Sequence, residues 1–349
     1  MIGMDYKKAL KAVIFLIIVL FIGISVSYIV RTNGEVKDRF AGFYAEPEDT
    51  IDVMMYGASP IGVTFVPGLM WKETGITSYS LSSNSQNPAA TKYLIDETLK
   101  YQHPQLIVIE PRMFLTDPVQ MSEDKAHIRE VADNLKYSPV RLKLLNALLS
   151  EDDNKLEYYV DIIKYHSNIR LLFMRSELAK FDFTQECRSK GYSYHTEVNG
   201  EHRDDDADTE GMIPIPAENE EVLVDLLDYC KQHDLDVLFV TTPRIIDSEY
   251  EKQMNYIQNI VEAKGYDFIN MNRHLDDIGF DFEKHFYNAT HINVLGAYVC
   301  TQYLAGYIQD RYDIVPADKL PNEGSWEQAY EDYISVYEEV LKSLEAARD

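Results

Sequence analysis

From residue 12 to residue 30 the chain reads AVIFLIIVLFIGISVSYIV, an uncharged run of 19 residues, close to the roughly 20 that a helix needs to cross a bilayer. This predicts a transmembrane helix at 12–30 behind a short tail at 1–11. After a polar connector at 31–50, the pattern changes to short apolar runs separated by amphipathic stretches. The runs IDVMMYG (51–57), TSYSLS (77–82), PQLIVIEP (104–111), LDVLFVTTP (235–243) and YDFINMN (266–272) read as buried strands. Between the second and third, PAATKYLIDETLKYQ places Tyr93, Leu94, Thr98 and Leu99 at helical spacing, with Pro88 suited to a first turn. Strand, helix, strand at this rhythm implies an α/β domain at 51–320, a parallel sheet wrapped by helices.

The rhythm lapses at about 115–220. EDKAHIREVADNLKYSPVRLKLLNALL and NKLEYYVDIIKYHSNIRLL are helical by periodicity, and a polar stretch with NGEHRDDDADTEG follows. This segment reads as a helical insertion capping the sheet. Asp204, Asp206 and Asp208 resemble the start of a calcium loop, but the twelfth position holds Ile215 where a bidentate Glu is required, so a solvated acidic loop is expected. Residues 321–349 predict a C-terminal amphipathic helix with Ser325 and Gln328 as a capping box. Its stripe of Trp326, Tyr330, Tyr333, Tyr337, Val340 and Leu344 is expected to pack on the domain.

Charge narrows the partners. With 33 Lys and Arg against 58 Asp and Glu, the net charge is -25, which argues against nucleic acid, whose phosphates are held by a surplus of cations. An anionic partner has to be met at a local basic spot. Cys187, Cys230 and Cys300 stand in no paired spacing and suggest neither zinc nor a disulfide framework. Lys7, Lys8 and Lys11 before the apolar run balance Arg31, Lys37 and Arg39 after it. Because the lysines sit on a very short tail, as in the leading region of an export signal, the tail is expected in the cytoplasm and the bulk outside a cell membrane crossed once.

In an open parallel sheet, ligands bind beyond the carboxyl ends of the strands. The residues leaving the strands are Gly57-Ala58-Ser59, the SSNSQN run, Glu110-Pro111-Arg112 and Thr241-Thr242-Pro243-Arg244, with Asn288 and His291 after the last strand. A serine on a tight turn past a glycine offers its hydroxyl as nucleophile and its own N–H to an oxyanion. Ser59 before Pro60 equally fits a helix N-cap. His291 is a candidate base or a core histidine.

Taken together and in this order, DVMMYGAS and YNATHIN resemble the first and last blocks of the SGNH (GDSL-like) hydrolase family, over roughly 50–110 and 235–310. The resemblance implies a flavodoxin-like three-layer α/β/α fold, Ser59 as nucleophile, His291 as base, and no cofactor. It looks strongest to membrane-anchored envelope proteins related to the D-alanyl transfer protein of teichoic-acid modification, and to similar proteins paired with membrane-bound O-acyltransferases. Those too have an N-terminal span, a helical insertion and a Tyr-rich tail. The implied function is an extracytoplasmic serine acyl esterase or acyltransferase acting on a cell-envelope polymer, a glycan or teichoic acid. The alternative is a noncatalytic assembly factor that docks on a multi-pass O-acyltransferase and holds polymer.

The departures from the family pattern are specific. Asn288 stands where the family has the Asp of D-x-x-H, leaving a main-chain carbonyl to orient the imidazole, or Glu110, Asp281 or Glu283 as a candidate substitute acid. The second block reads SLSSNSQN, with Ser82 and Ser85 where glycines are expected and Asn84 as a candidate oxyanion donor. IEPRMF replaces the Gly-x-Asn-Asp of the third block. Arg112 and Arg244, both at strand ends, suit an anionic polymer.

Overall fold

A computed structural model describes residues 6–31, 34–202, 209–317 and 319–346. The acidic run with Asp204, Asp206 and Asp208 lies outside the described residues.

Five strands, β1 (Val53–Tyr56), β2 (Ser78–Ser80), β3 (Leu106–Ile109), β4 (Val237–Thr241) and β5 (Asp267–Asn270), form one parallel sheet in the order β2-β1-β3-β4-β5. Side chains alternate across it. Met54, Tyr56, Ile107, Ile109 and Phe239 enter one core, whereas Val53, Met55, Leu106, Val108 and Val240 enter the other. Both faces are covered, which is why the central strands β1, β3 and β4 read as continuous apolar runs rather than alternating ones.

Two helices, α1 (Tyr6–Ile29) and α2 (Glu35–Ala45), precede the sheet. Next, α3 (Ser59–Thr64) and α4 (Pro67–Thr74) join β1 to β2, and α5 (Pro88–Thr98) joins β2 to β3. Pro88 is in the first turn of α5, behind Asn87, whose side chain caps Ala89 N–H. The insertion carries α6 (Pro118–Glu123), α7 (Lys125–Ala132), α8 (Pro139–Leu148), α9 (Lys155–Tyr159), α10 (Ile162–Tyr165), a 3-10 helix (His166–Phe173) and α11 (Arg175–Phe181). After an irregular stretch come α12 (Ala217–Gln232), then α13 (Ser248–Ala263) between β4 and β5. The chain closes with α14 (Leu275–Ile278), an antiparallel hairpin of β6 (Phe286–Asn288) and β7 (His291–Ile292), α15 (Val294–Arg311) and α16 (Glu323–Ala346).

α1 is long and apolar enough to cross a membrane. The expected connector at 31–50 is instead part of the domain. Phe40, Phe43 and Tyr44, at helical spacing on α2, join the core between the sheet and α5. What hid this in the sequence is that α2 also buries two cations. Lys37 Nζ bonds Glu177 at 2.7 Å, and Arg39 spreads its guanidinium over the carbonyls of Gly191 and Ser82 and the hydroxyl of Ser193. Buried charges are tolerated where they are paired in this way.

The C-terminal helix packs on α4 and α15 and buries Trp326, Tyr333 and Val340. Gly68 permits that approach, because a Cβ there would sit 2.6 Å from Tyr330 N. The expected capping box does not form. α16 starts at Glu323, and the Ser325 hydroxyl instead joins Lys190 and Glu186.

Candidate active site

Strand order reverses at β1, whose neighbours β2 and β3 are the next two strands in sequence, so the crevice beyond its carboxyl end lies where the flanking connections diverge. The chain leaves β1 through Gly57, where φ is +156° and a Cβ would lie 2.9 Å from Glu110 Cβ. Only glycine lets this turn pass so close to the end of β3. Ala58 then occupies the N-cap, and Ser59 is the first residue of α3. Its hydroxyl is therefore not spent on the cap. It lies 2.8 Å from His291 Nε2, across 232 positions of sequence.

His291 sits on the β6–β7 hairpin, which is held by the ends of two sheet strands. Arg112, just past β3, donates Nη1–H to Thr290 O at 3.0 Å, and Ile245, past β4, donates its N–H to Ala289 O at 2.9 Å. Asn293 caps α15 through Leu295 and Gly296 N–H, and donates back to the carbonyls of Lys284 and Phe286.

The protonation pattern follows from a chain of donors and acceptors. The backbone N–H of Thr290 can only donate, and it points at Asn288 Oδ1 at 3.0 Å, so the oxygen of that amide faces the hairpin turn. The same oxygen lies 3.1 Å from His291 Nδ1. Because it only accepts, Nδ1 carries the proton, with Thr290 Oγ1 a second neighbour at 3.0 Å. Nε2 is then a bare acceptor, and the Ser59 hydroxyl donates to it. An amide thus orients the imidazole as a carboxylate would, without supplying negative charge.

The missing charge has a consequence. His291 is pulled down to about 4 by burial, reinforced by the positive Arg112, by the nearby His195 ring and by the positive Arg244. The ring is neutral, and able to accept a proton, throughout the neutral range. Reactivity of Ser59 toward a fluorophosphonate is therefore expected to stay level from pH 8 to near 5 and to fall by half near pH 4, as His291 becomes protonated. Labelling rates across that range check it.

None of the candidate substitute acids reaches the imidazole. Glu110 is buried behind Gly57, where it accepts the N–H of Arg112 at 3.3 Å. Burial pushes its carboxyl up against the opposing pull of Arg112. Asp281 pairs with Lys284 and accepts the N–H of Glu283, whose side chain has no bond to His291 among the described residues.

Of the second-block residues, Ser82 is fully buried. Its carbonyl accepts from Arg39, and its hydroxyl lies 3.2 Å from that of Ser80. It faces Gly62 of α3, where a Cβ would come within 2.7 Å of Ser82 Oγ. Ser82 thus supports the helix that begins at Ser59. Asn84 lines the same cavity as Ser59, but Glu130 holds both its backbone N–H and its side-chain amide. Ser85 has φ of +40°, a conformation that favours glycine. Arg244 lies over the Tyr250 ring, 4.4 Å from its centroid, and bonds the carbonyl of Ile245. Both arginines thus brace the site and add positive charge beside it.

In front of Ser59 lies a cavity of about 630 Å³ walled by α2, α7, α10 and the irregular stretch near His195. Lys37, Arg39, Lys125, Arg129 and Lys164 line it with Glu35 and Glu130; Lys37 is paired with Glu177, Lys125 with Asp153 and Arg129 with Asp133 and Glu157, and Lys164 is exposed. His195 escaped the sequence reading. It stacks on Tyr287 with centroids 4.1 Å apart, lies 6.3 Å from the His291 ring, and its carbonyl accepts Val294 N–H at the start of α15. No motif surrounds GYSYHTE, and the available signal is a histidine in a polar stretch beside two tyrosines, Tyr192 and Tyr194. No family model matches the chain, and no curated protein matches it.

Proposed function

We propose that this chain is a membrane-anchored, extracytoplasmic serine acyl esterase or acyltransferase of the SGNH type, acting on an acyl ester of a cell-envelope polymer. The observation that carries the reading is the 2.8 Å contact from Ser59 Oγ to His291 Nε2, with the tautomer that makes Nε2 the acceptor. The strand order 2-1-3-4-5 is that of flavodoxin-like sheets, which supports the three-layer expectation. α1 serves as the anchor, with the short lysine tail inside.

Ser59 Oγ attacks the acyl carbonyl as His291 Nε2 takes its proton. As the first residue of α3, Ser59 has an N–H without a partner in the helix ladder, available to the oxyanion. His291 returns the proton to the leaving alcohol, and an acceptor hydroxyl or water, deprotonated by the same nitrogen, releases the acyl group. Lys164, exposed at the wall of the cavity, suits a polymer bearing phosphate or carboxylate.

A second reading, a noncatalytic factor that holds polymer for a membrane-bound O-acyltransferase, draws on one observation: the group facing His291 Nδ1 is an uncharged amide. Fluorophosphonate labelling separates the two. An adduct on Ser59 supports the enzyme; an unlabelled, folded protein that still binds polymer supports the factor.

Asn288→Asp sharpens the test. A carboxylate at 3 Å raises an imidazole pKa by about 1–3 units, so the acid limb of the labelling profile should move up from about 4. The neutral-pH rate should rise about tenfold, as a stronger base assists the serine. An unmoved acid limb would mean that His291 does not govern Ser59.

A further inference from the structure

The apolar helix α1 ends inside protein. Its side chains from Val13 to Phe21 are largely exposed and Ile24 is 39% exposed, whereas Ser27, Tyr28 and Ile29 are buried against α10, α11 and the 3-10 helix between them. At about 1.5 Å of rise per residue, Ile29 lies only roughly 7–8 Å along the axis from Ile24. The elements covering α1 are therefore level with the end of its exposed stretch.

Those same elements leave large apolar side chains uncovered. Ile163, Ile169, Phe173 and Met174 are 42%, 59%, 84% and 42% exposed, and Phe173 is the most exposed large apolar side chain among the described residues. Their charge is equally unusual. Residues 162–176 read IIKYHSNIRLLFMRS, with Lys164, Arg170 and Arg175 and no Asp or Glu, in a chain that has 58 acidic residues. All three cations are exposed. Exposed apolar side chains interleaved with cations are the chemistry that seats a helix at an anionic bilayer surface.

The face is locked to the helix that it surrounds. Asn168 Nδ2 donates to Val30 O at 3.1 Å, Lys37 bridges Ile29 O and Glu177, and Arg31 pairs with Asp161, the residue before α10. Whatever holds α1 in a bilayer therefore holds this face against its surface.

We propose that α10, the 3-10 helix and the start of α11 form a membrane-interfacial collar seated in an anionic leaflet, with Ile169 and Phe173 at the acyl-chain boundary and Lys164, Arg170 and Arg175 at the phosphates. The proposal rests on the anchor reading of α1 and is independent of the chemistry at Ser59. Lys164 and Tyr165 also line the cavity in front of Ser59, so collar and cavity share a wall, which puts the cavity beside the headgroup layer.

The test uses the full chain in phosphatidylglycerol nanodiscs, with Cys187→Ser and one nitroxide at Phe173→Cys, Met212→Cys or Ile18→Cys. Power saturation compares access by oxygen, which favours lipid, with access by a nickel chelate, which favours water. The label at 173 is expected to match Ile18 in favouring oxygen severalfold over Met212, and to lose part of that preference in phosphatidylcholine. A 173 label as open to nickel as that at 212, with Ile18 in lipid, overturns the collar and leaves the anchor standing. Shielding of 173 from both reagents overturns it in favour of a protein partner. An Ile18 label in water sinks anchor and collar together.

Discussion

Replacing His291 with alanine is expected to slow reaction of Ser59 with a fluorophosphonate by about 10³-fold, the usual contribution of a well-placed general base. Oγ and Nε2 are 2.8 Å apart, within the range for direct proton transfer, and a lone serine is a weak nucleophile near neutral pH. Ser59→Ala should remove the adduct altogether. Both substitutions are at partly buried positions and remove no packing from the two cores, so the far-ultraviolet circular dichroism spectrum should be unchanged. Equal labelling of Ser59→Ala and the parent would put the nucleophile elsewhere and end the enzyme reading. A His291→Ala protein that labels at the parent rate would mean that the short contact is structural.

Arg31→Ala is expected to lower stability by about 3–5 kcal/mol, the cost of stripping one partner from a buried ion pair. Arg31 is fully buried and donates Nε–H to Asp161 at 2.8 Å and Nη1–H to the carbonyls of Asp133 and Leu135. Burial opposes its charge, but Asp161, Tyr137 and Asp133 outweigh that and keep the guanidinium charged. Asp161 and Asp133 would keep Arg141, yet two buried carboxylates would then share that arginine, with Arg129 reaching only Asp133. Arg31→Lys should recover part of the loss, since an ammonium keeps the charge but cannot reach one carboxylate and two carbonyls in a planar fork. Thermal melts of the full chain in detergent check both. A loss below about 1 kcal/mol in Arg31→Ala, the level of an exposed pair, would show that water enters the network.

This network explains why 31–50 looks like a linker in sequence and packs as part of the domain. In sequence, Arg31, Lys37 and Arg39 look like the solvated charges of a linker, and long cations are seldom fully buried. Their partners, Asp161, Glu177 and the carbonyls of Ser82 and Gly191, lie between 43 and 152 positions away, so no local window reveals them. The substitute acids failed for a related reason. Glu110 and Asp281 were candidates by position along the chain, but each had already found a nearer partner, Arg112 N–H for one and Lys284 for the other.

By itself the sequence determined the five buried strands, their parallel arrangement, the apolar N-terminal helix, and the nomination of Ser59, Asn288 and His291. These are legible because apolar runs and turn residues act within one element, and because Asn288 and His291 lie three positions apart on one hairpin. Tertiary structure alone decided that Ser59 and His291 meet, that an amide held by Thr290 N–H orients the ring, that His195 and a cavity lined largely by paired cations stand in front of the serine, and that α2 belongs to the domain. Each depends on groups far apart in the chain, whose pairing is set by how the layers pack and by the need of every buried polar group for a partner.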